Sequence, residues 1–204
     1  MLVHVAREQT YYSRRTFFFL LLYNYFRKLS MFSCWSTYIQ DTKQMEPLLK
    51  ELDKAYIRVK TKDKVPQILD WVNYTEKQSI EELIKENGEF GLRTGTKIGN
   101  YWFCALDIDY RGWTDLIKNV WISYIKTSRG IHVYLKIKNQ GESPRNGILY
   151  YDGEKIGSFL SKGRQVVGVG SINKELVKRG KWFWKLESIE ELKERLKKYE
   201  IELR

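Results

Sequence analysis

In the segment Tyr101–Asp109, every second side chain is apolar, and this period of two predicts a β-strand. The opposite face carries Asp107 and Asp109, so both carboxylates project from the same side of the strand. A second segment, Ile131–Ile137, has the same period, and its polar face begins with His132. If the two strands are neighbours in a sheet, one face presents two carboxylates and an imidazole.

Two carboxylates placed two residues apart on a strand suit a hard divalent cation. Mg²⁺ binds one or two protein carboxylates and completes its shell with water and phosphate oxygens. Such ions stabilise the attacking and leaving oxygens of phosphoryl transfer. The alternative interpretation is a strand end with two solvated acids. The apolar character of the strand favours a site for Mg²⁺ or Mn²⁺ at Asp107 and Asp109, because folding does not require charge there.

A zinc site is not expected, because the chain contains only two cysteines and two histidines. Cys104 belongs to the apolar face of its strand and is predicted to lie in the core. Nothing in the cysteine usage requires an oxidising compartment, so a cytoplasmic location is predicted.

The charge of the chain favours an anionic partner. The 204 residues carry a formal net charge of +11, and 43% of them are hydrophobic, which is enough for a substantial core. The alternative is a solvated surface rich in lysine and glutamate, since the chain also contains 25 acidic residues.

Five short motifs follow one another between Met45 and Trp184: Lys-x-Pro with a later Trp, Gly-x-Arg-Thr-Gly, Asp-x-Asp, Ser-x-Gly-x-His, and a basic Gly-Arg-x-Val-Val segment. The residues that form them are Lys64, Pro66 and Trp71; Gly91, Arg93, Thr94 and Gly95; Asp107 and Asp109; Ser128, Gly130 and His132; Gly163, Arg164, Val166, Val167, Gly170 and Ser171. In this order the motifs resemble the primase–polymerase (prim-pol) domain of the archaeo-eukaryotic primase superfamily, which is typical of archaeal plasmids, viruses and integrated elements.

The resemblance implies an α+β fold, in which an RRM-like catalytic sheet with flanking helices is joined to a smaller α/β subdomain. It implies that Asp107 and Asp109 bind the catalytic metal ions and act with His132 in catalysis. The contacts that it implies to the nucleoside triphosphate are Ser128, His132, Lys162 and Arg164.

Two arginines leave alternatives open. Arg129 occupies a position where glycine is common in the family, and it either adds a phosphate contact or crowds the site. Arg93 ends the predicted strand Phe90–Arg93, and it either meets a template or phosphate or is simply solvated.

The third carboxylate that the family usually carries has no counterpart here. The family shows a pattern similar to Ile-Asp-Phe-Leu, whereas this chain has Gly157-Ser158-Phe159-Leu160, with Ser158 at the position of the acid. Serine is an uncharged and poor metal ligand, so weaker metal binding is expected. The expected function is template-directed DNA primase or polymerase activity by two-metal phosphoryl transfer. The alternative is a catalytically impaired relative that binds nucleic acid during replication.

The resemblance implies a DNA template and primer and nucleoside triphosphates as partners. The sequence contains no Gly-x-x-x-x-Gly-Lys-Ser/Thr loop, so the helicase often fused to such domains is expected to be a separate protein. A rolling-circle nicking protein is disfavoured, because such enzymes need a His-x-His pair. No membrane partner is expected.

Residues 1–44 differ in character from the predicted catalytic domain, residues 45–204. Phe17–Phe26 is apolar and aromatic, but its ten residues are too few for a spanning helix, which needs about 20. The interpretations left open are an extension produced by the choice of start codon, with the working start at Met31 or Met45, an accessory helix, a disordered segment and a signal peptide.

Three local patterns complete the prediction. Capping boxes that begin at Ser79 and Ser188 predict helices. Asp152-Gly153 predicts a tight turn between two strands. The segment Lys181–Trp184 is basic and aromatic, and it is predicted to be core rather than a base-stacking surface.

Overall fold

The computed structural model describes residues 48, 58–62, 65–67, 69–73, 82–83, 89–114, 122–171, 173–177 and 179–204. All of them belong to the compact unit Met45–Arg204. The N-terminal extension, residues 1–44, and the predicted helix cap at Ser79 lie outside the described residues.

The described residues form an α+β structure in which strand predominates over helix. The strands are β1 (Arg58–Lys62), β2 (Val65–Pro66), β3 (Phe90–Arg93), β4 (Thr96–Ile98), β5 (Tyr101–Ile108), β6 (Tyr124–Lys126), β7 (Ile131–Lys138), β8 (Gly147–Tyr151), β9 (Glu154–Leu160), β10 (Gln165–Val167), β11 (Glu175–Val177), β12 (Trp184–Leu186) and β13 (Ile201–Leu203). Helix α1 (Ile189–Lys197) connects β12 to β13.

A large, mostly antiparallel sheet contains nine of these strands. Its main path is β11-β6-β7-β5-β9-β8-β13, while β4 pairs with β5 and β12 pairs in parallel with β7. The two strands predicted from their period of two, β5 and β7, pair along their whole length, from Tyr101 opposite Lys138 to Ile108 opposite Ile131. They are therefore neighbours, as the shared polar face requires.

Both faces of the large sheet are covered. Leu106 and Val133 belong to a core that includes Leu192 of α1. On the opposite face, Phe103 and Tyr134 belong to a second core, which contains residues of β3 and β10. These two strands form a small antiparallel sheet with β1 and β2, in the order β10-β3-β1-β2. The polar residues of β5 and β7 lie on the face that the small sheet covers, because they alternate with the residues of the first core.

The end of β5 is packed between two glycines. A Cβ atom at Gly130 would lie 1.7 Å from the backbone oxygen of Ile108, and a Cβ atom at Gly157 would lie 2.1 Å from the backbone oxygen of Asp107. On β9, Lys155 pairs with Tyr150 and Gly157 pairs with Leu149, so the residue between them, Ile156, bulges out of the ladder. Only glycine allows the neighbouring strands to approach β5 this closely.

Two of the predicted turn and cap signals are confirmed. Asp152 and Gly153 both have positive φ angles, 49° and 76°, and they form the tight turn between β8 and β9. Ser188 caps α1, because its side chain accepts a hydrogen bond from the backbone N–H of Glu191. The Glu191 carboxylate accepts from the N–H of Glu187, one residue earlier than in an ideal capping box.

Within the described residues, no helix combines the length and the apolar character that crossing a bilayer requires.

The Gly130→Ala variant should lose about 3 kcal/mol or more of unfolding free energy, because the new methyl group collides with backbone rather than with a flexible side chain. Gly153→Ala is the matched control. It lies in an exposed turn with no atom within 4 Å of the added Cβ, and its positive φ alone should cost about 1–2 kcal/mol. Urea denaturation followed by circular dichroism measures both values, and equal losses would contradict the close approach at Ile108.

Candidate functional site

A row of three polar side chains crosses the centre of the large sheet. Asp107 on β5 lies directly opposite His132 on β7 and, on its other side, directly opposite Ser158 on β9. Residues paired in this way in antiparallel strands point to the same face. The row continues on β8 with the apolar Ile148, which pairs with Ser158. The position that lacks the expected third acid is therefore adjacent to Asp107.

The histidine of this row is held by the aspartate. The Nε2 atom of His132 lies 3.2 Å from Oδ1 of Asp107, and the exposed fractions of the two side chains are 6% and 36%. The other ring nitrogen, Nδ1, is buried and has no hydrogen-bond partner. A buried polar atom without a partner is uncommon in folded proteins, and such atoms often mark a place where a bound group supplies the partner.

Asp109 follows the end of β5 and is held mainly by its backbone. Its N–H donates a hydrogen bond of 2.8 Å to the carbonyl oxygen of Ile156. Its carboxylate is 43% exposed and accepts a hydrogen bond of 2.9 Å from the guanidinium of Arg129. An exposed ion pair of this kind contributes about 0–1 kcal/mol, so a stronger ligand can displace the arginine at little cost.

The loop between β6 and β7 is shaped by a threonine. The Thr127 hydroxyl accepts hydrogen bonds from the N–H groups of Arg129, at 3.3 Å, and of Gly130, at 3.0 Å. The Thr127 N–H donates in turn to the Gly130 carbonyl. Side-chain bonds of this type fix the path of a tight turn, and this turn presents the exposed side chains of Ser128 and Arg129 beside the polar row.

A cavity of about 230 Å³ lies between the end of β5 and strand β10. Its lining residues are Asp107, Asp109, Thr127, Ser128, Arg129, His132, Gln165, Val166, Val167 and Lys174. The cavity thus brings together both predicted aspartates, the predicted histidine and the Ser128–Arg129 pair.

Three predicted basic residues lie elsewhere. Lys162 and Arg164 have exposed side chains, and neither lines the cavity. The guanidinium of Arg93 donates a hydrogen bond to the carbonyl oxygen of Val72, and burial lowers the pKa of Arg93. Arg93 therefore holds the 69–73 turn, and the roles expected of all three residues in binding phosphate or template stay predictions.

Lys174 is a cavity residue that the sequence patterns did not identify. Its side chain is only 9% exposed, and it lines the cavity from the loop between β10 and β11. The loop is fixed to β3, because Ser171 Oγ accepts from the Phe90 N–H and the Gly168 N–H donates to the Phe90 carbonyl. The sequence feature that could have identified Lys174 is the Gly-x-Gly-Ser segment that precedes it, because this segment holds the loop against the sheet.

Two carboxylates, those of Asp107 and Asp109, line the cavity. In the part of the chain that the structure describes, no three His, Cys, Asp or Glu side chains form a group able to hold a metal ion. Asp107 and Asp109 supply carboxylate oxygens, and the other positions of an Mg²⁺ or Mn²⁺ shell would be filled by water and phosphate oxygens. Cys104 does not line the cavity, and burial raises the pKa of its thiol to about 12.

The Ser158→Asp variant should bind Mn²⁺ about tenfold more tightly than the wild type, because it places a third carboxylate beside Asp107 in the same row. Ile148→Asp is the matched control, since it adds the same charge to this row about 4.8 Å further out, one strand away. Titration of free Mn²⁺ by electron paramagnetic resonance gives both affinities. An equal gain in the two variants would mean that added negative charge, and not coordination, strengthens binding.

No protein-family model matches this chain, and no curated protein matches it.

Proposed function

We propose that this protein is a metal-dependent nucleotidyltransferase of the primase–polymerase type, which adds nucleotides to a strand paired with a DNA template. The observation that carries the proposal is the row of His132, Asp107 and Ser158 across three adjacent strands, with Asp109 at the end of the central one. These are the motif positions at which the resemblance places the metal ligands and the nucleotide contacts.

The arrangement of the sheets supports the same proposal. The polar row lies on a large sheet, and strand β10 of the small sheet contributes to the other side of the cavity. An RRM-like catalytic sheet joined to a smaller subdomain would have such a cleft between its two parts. A nucleotidyltransferase of a plasmid or viral replication system would act in the cytoplasm, with a DNA template, a primer and a helicase as partners.

A bound Mg²⁺ or Mn²⁺ ion, held by Asp107 and Asp109, would supply positive charge to the phosphate oxygens during transfer. Asp107 is oriented for this role by His132, whose ring is almost fully enclosed. The backbone of Asp109 is held by its hydrogen bond to Ile156, and its exposed carboxylate contacts Arg129.

The cavity also offers groups for the triphosphate of the incoming nucleotide. Arg129 and Lys174 provide two positive charges, and Ser128 provides a hydroxyl. The 3′-hydroxyl of the primer attacks the α-phosphorus, the bond to pyrophosphate breaks, and the proton of the hydroxyl passes to solvent. The residues of this chain bind and orient the reacting groups, and such placement is the larger part of catalysis in phosphoryl transfer.

A second function, binding of nucleic acid without catalysis, is favoured by one observation. Ser158 lies directly opposite Asp107, where a third carboxylate would complete the metal site. With a hydroxyl at this position, the protein would keep the fold and the positive charge of the family, and its metal affinity would be too low for turnover.

Incorporation of labelled nucleotides into a primed DNA template separates the two functions. Wild-type protein with Mn²⁺ or Mg²⁺ should extend the primer, and Asp107→Ala should lower the rate at least about 100-fold, because it removes a metal ligand from the transition state. Asp152→Asn is the control. It removes the same charge from an exposed turn, and its positive φ angle suits asparagine.

The binding function would be preferred if the wild type and Asp107→Ala bound DNA equally and neither incorporated nucleotide. Activity in Ser158→Asp alone would identify the missing carboxylate as the cause.

The Lys174→Gln variant should raise KM for the nucleoside triphosphate about tenfold or more, because a hydrogen bond to a charged group contributes about 1.5–3 kcal/mol. Lys174→Arg should restore much of the affinity, since it keeps the charge. Lys155→Gln, in the exposed part of β9, is the control for general charge loss. Steady-state incorporation measures KM and kcat for each variant, and an unchanged KM in Lys174→Gln would exclude the lysine from the nucleotide site.

A further inference from the structure

A larger cavity, of about 680 Å³, lies between β12 and α1. Its lining residues are Ile122, Lys181, Phe183, Trp184, Lys185, Glu191, Glu194, Arg195, Lys198 and Tyr199. We refer to it as the β12–α1 cleft. None of these residues lines the cavity at Asp107.

The β12–α1 cleft is lined from both faces of β12. Trp184 points to the face that packs against α1, whereas Lys185 pairs with Lys136 and points to the face that carries His132. Trp184 packs against the core that includes Leu192 of α1. Asp107 and His132 instead project towards the small sheet, on the face that carries Phe103. The two cavities share no lining residue, so the residues of one can be changed without changing the lining of the other.

The charge of the β12–α1 cleft is positive. Four cationic side chains and two carboxylates line it. One of the carboxylates, that of Glu191, is already engaged by Arg195 and by the N–H of Glu187, and the hydrogen bond to that N–H lowers the pKa of Glu191. The remaining cations, Lys181, Lys185 and Lys198, have exposed side chains, so the cleft offers them to an anion.

Aromatic rings and a guanidinium are among the groups that line the cleft. The Arg195 guanidinium lies over the Trp184 ring, 5.4 Å from its centroid, and both side chains are half-buried. Tyr199, which follows the end of α1, adds a second half-buried ring. Nucleic-acid bases stack on aromatic rings and on guanidinium planes whatever their sequence.

We propose that the β12–α1 cleft binds single-stranded nucleic acid, with bases on the Trp184–Arg195 platform and phosphates at the lysines. The positions of the lysines favour a strand over a single nucleotide. Lys181 precedes β12, Lys185 lies within it, and Lys198 follows α1, so the positive charges come from three separate parts of the cleft lining rather than from one point. The proposal does not depend on nucleotidyl transfer, because it concerns binding at residues that do not line the cavity at Asp107.

The experiment is fluorescence anisotropy of a labelled oligothymidylate of about 15 nucleotides, titrated with the full chain in EDTA. The double variant Lys185→Glu/Lys198→Glu should bind at least tenfold more weakly than the wild type at low salt. The slope of log K against log salt should also become shallower by about 0.7 for each phosphate contact that is lost. Both substitutions are on exposed side chains, and circular dichroism checks that the variant is folded.

The matched control is Lys155→Glu/Lys193→Glu, which changes the net charge equally on exposed positions outside the cleft. The control should bind within about threefold of the wild type, and equal weakening in both variants would overturn the proposal in favour of diffuse attraction by the net charge. Two further measurements test which ligand the cleft prefers. Displacement of the strand by thymidine triphosphate at an equal concentration of nucleotide, or tighter binding of a duplex than of the single strand, would each overturn the assignment to a single strand.

Asp107→Ala should bind the oligonucleotide as the wild type does. If it does so while incorporating no nucleotide, the cleft remains supported whatever the outcome for catalysis. If Asp107→Ala binds the strand as weakly as the cleft variant, the strand lies in the cavity at Asp107 and the proposal fails.

Discussion

The close packing of backbone around Ile108 is the constraint on which the candidate site depends. Gly130 and Gly157 bring β7 and β9 against the end of β5, at distances that leave no room for a side chain at either position. This approach sets the register in which Asp107 lies opposite His132 on one side and Ser158 on the other. A shift of one residue in either neighbour would turn its polar side chain to the opposite face, because side chains alternate along a strand.

The part of this arrangement that local rules determine could be predicted from sequence. The period of two in β5 and β7 assigns each side chain to a face, and it correctly placed Cys104 in the core. The positive φ angles at Asp152 and Gly153 follow from turn chemistry, so the β8–β9 hairpin was predicted as well. Pairing of β5 with both β7 and β9 does not follow from periodicity, because it depends on long-range contacts. In the sequence, only the order of the motifs suggested it.

The loop residues on either side of β10 could not be placed in this way, since no alternation fixes their direction. Lys162 and Arg164 lie in the turn before β10, and their side chains are exposed outside the cavity, whereas Gln165, the next residue, lines it. Lys174 lines the cavity from a loop that is hydrogen-bonded to β3. In one of these bonds the partners, Phe90 and Ser171, are 81 positions apart in the sequence. Contacts over such separations leave no local pattern.

In the aromatic segment Lys181–Trp184, neighbouring side chains lie in different environments, which a single prediction for the whole segment could not express. The prediction of core is confirmed for Phe183, which is 4% exposed and lies under the ammonium group of Lys136. Trp184 alternates with it and packs on the other face of the sheet, where it also lines the β12–α1 cleft. One short segment thus supplies a core residue and a half-buried platform, because successive side chains of a strand meet different environments.

The charges at the cavity determine how a serine at position 158 would affect the proposed reaction. Two acids, Asp107 and Asp109, are balanced there by two cations, Arg129 and Lys174, so the protein part of the cavity has little net charge. A third carboxylate would draw metal ions more strongly and would also repel the triphosphate when no metal is bound. With Ser158, the attraction for metal falls and Arg129 and Lys174 neutralise a larger share of the phosphate charge. In the proposed function, nucleotide and metal would therefore enter together, because the phosphate oxygens supply ligands that the chain itself lacks.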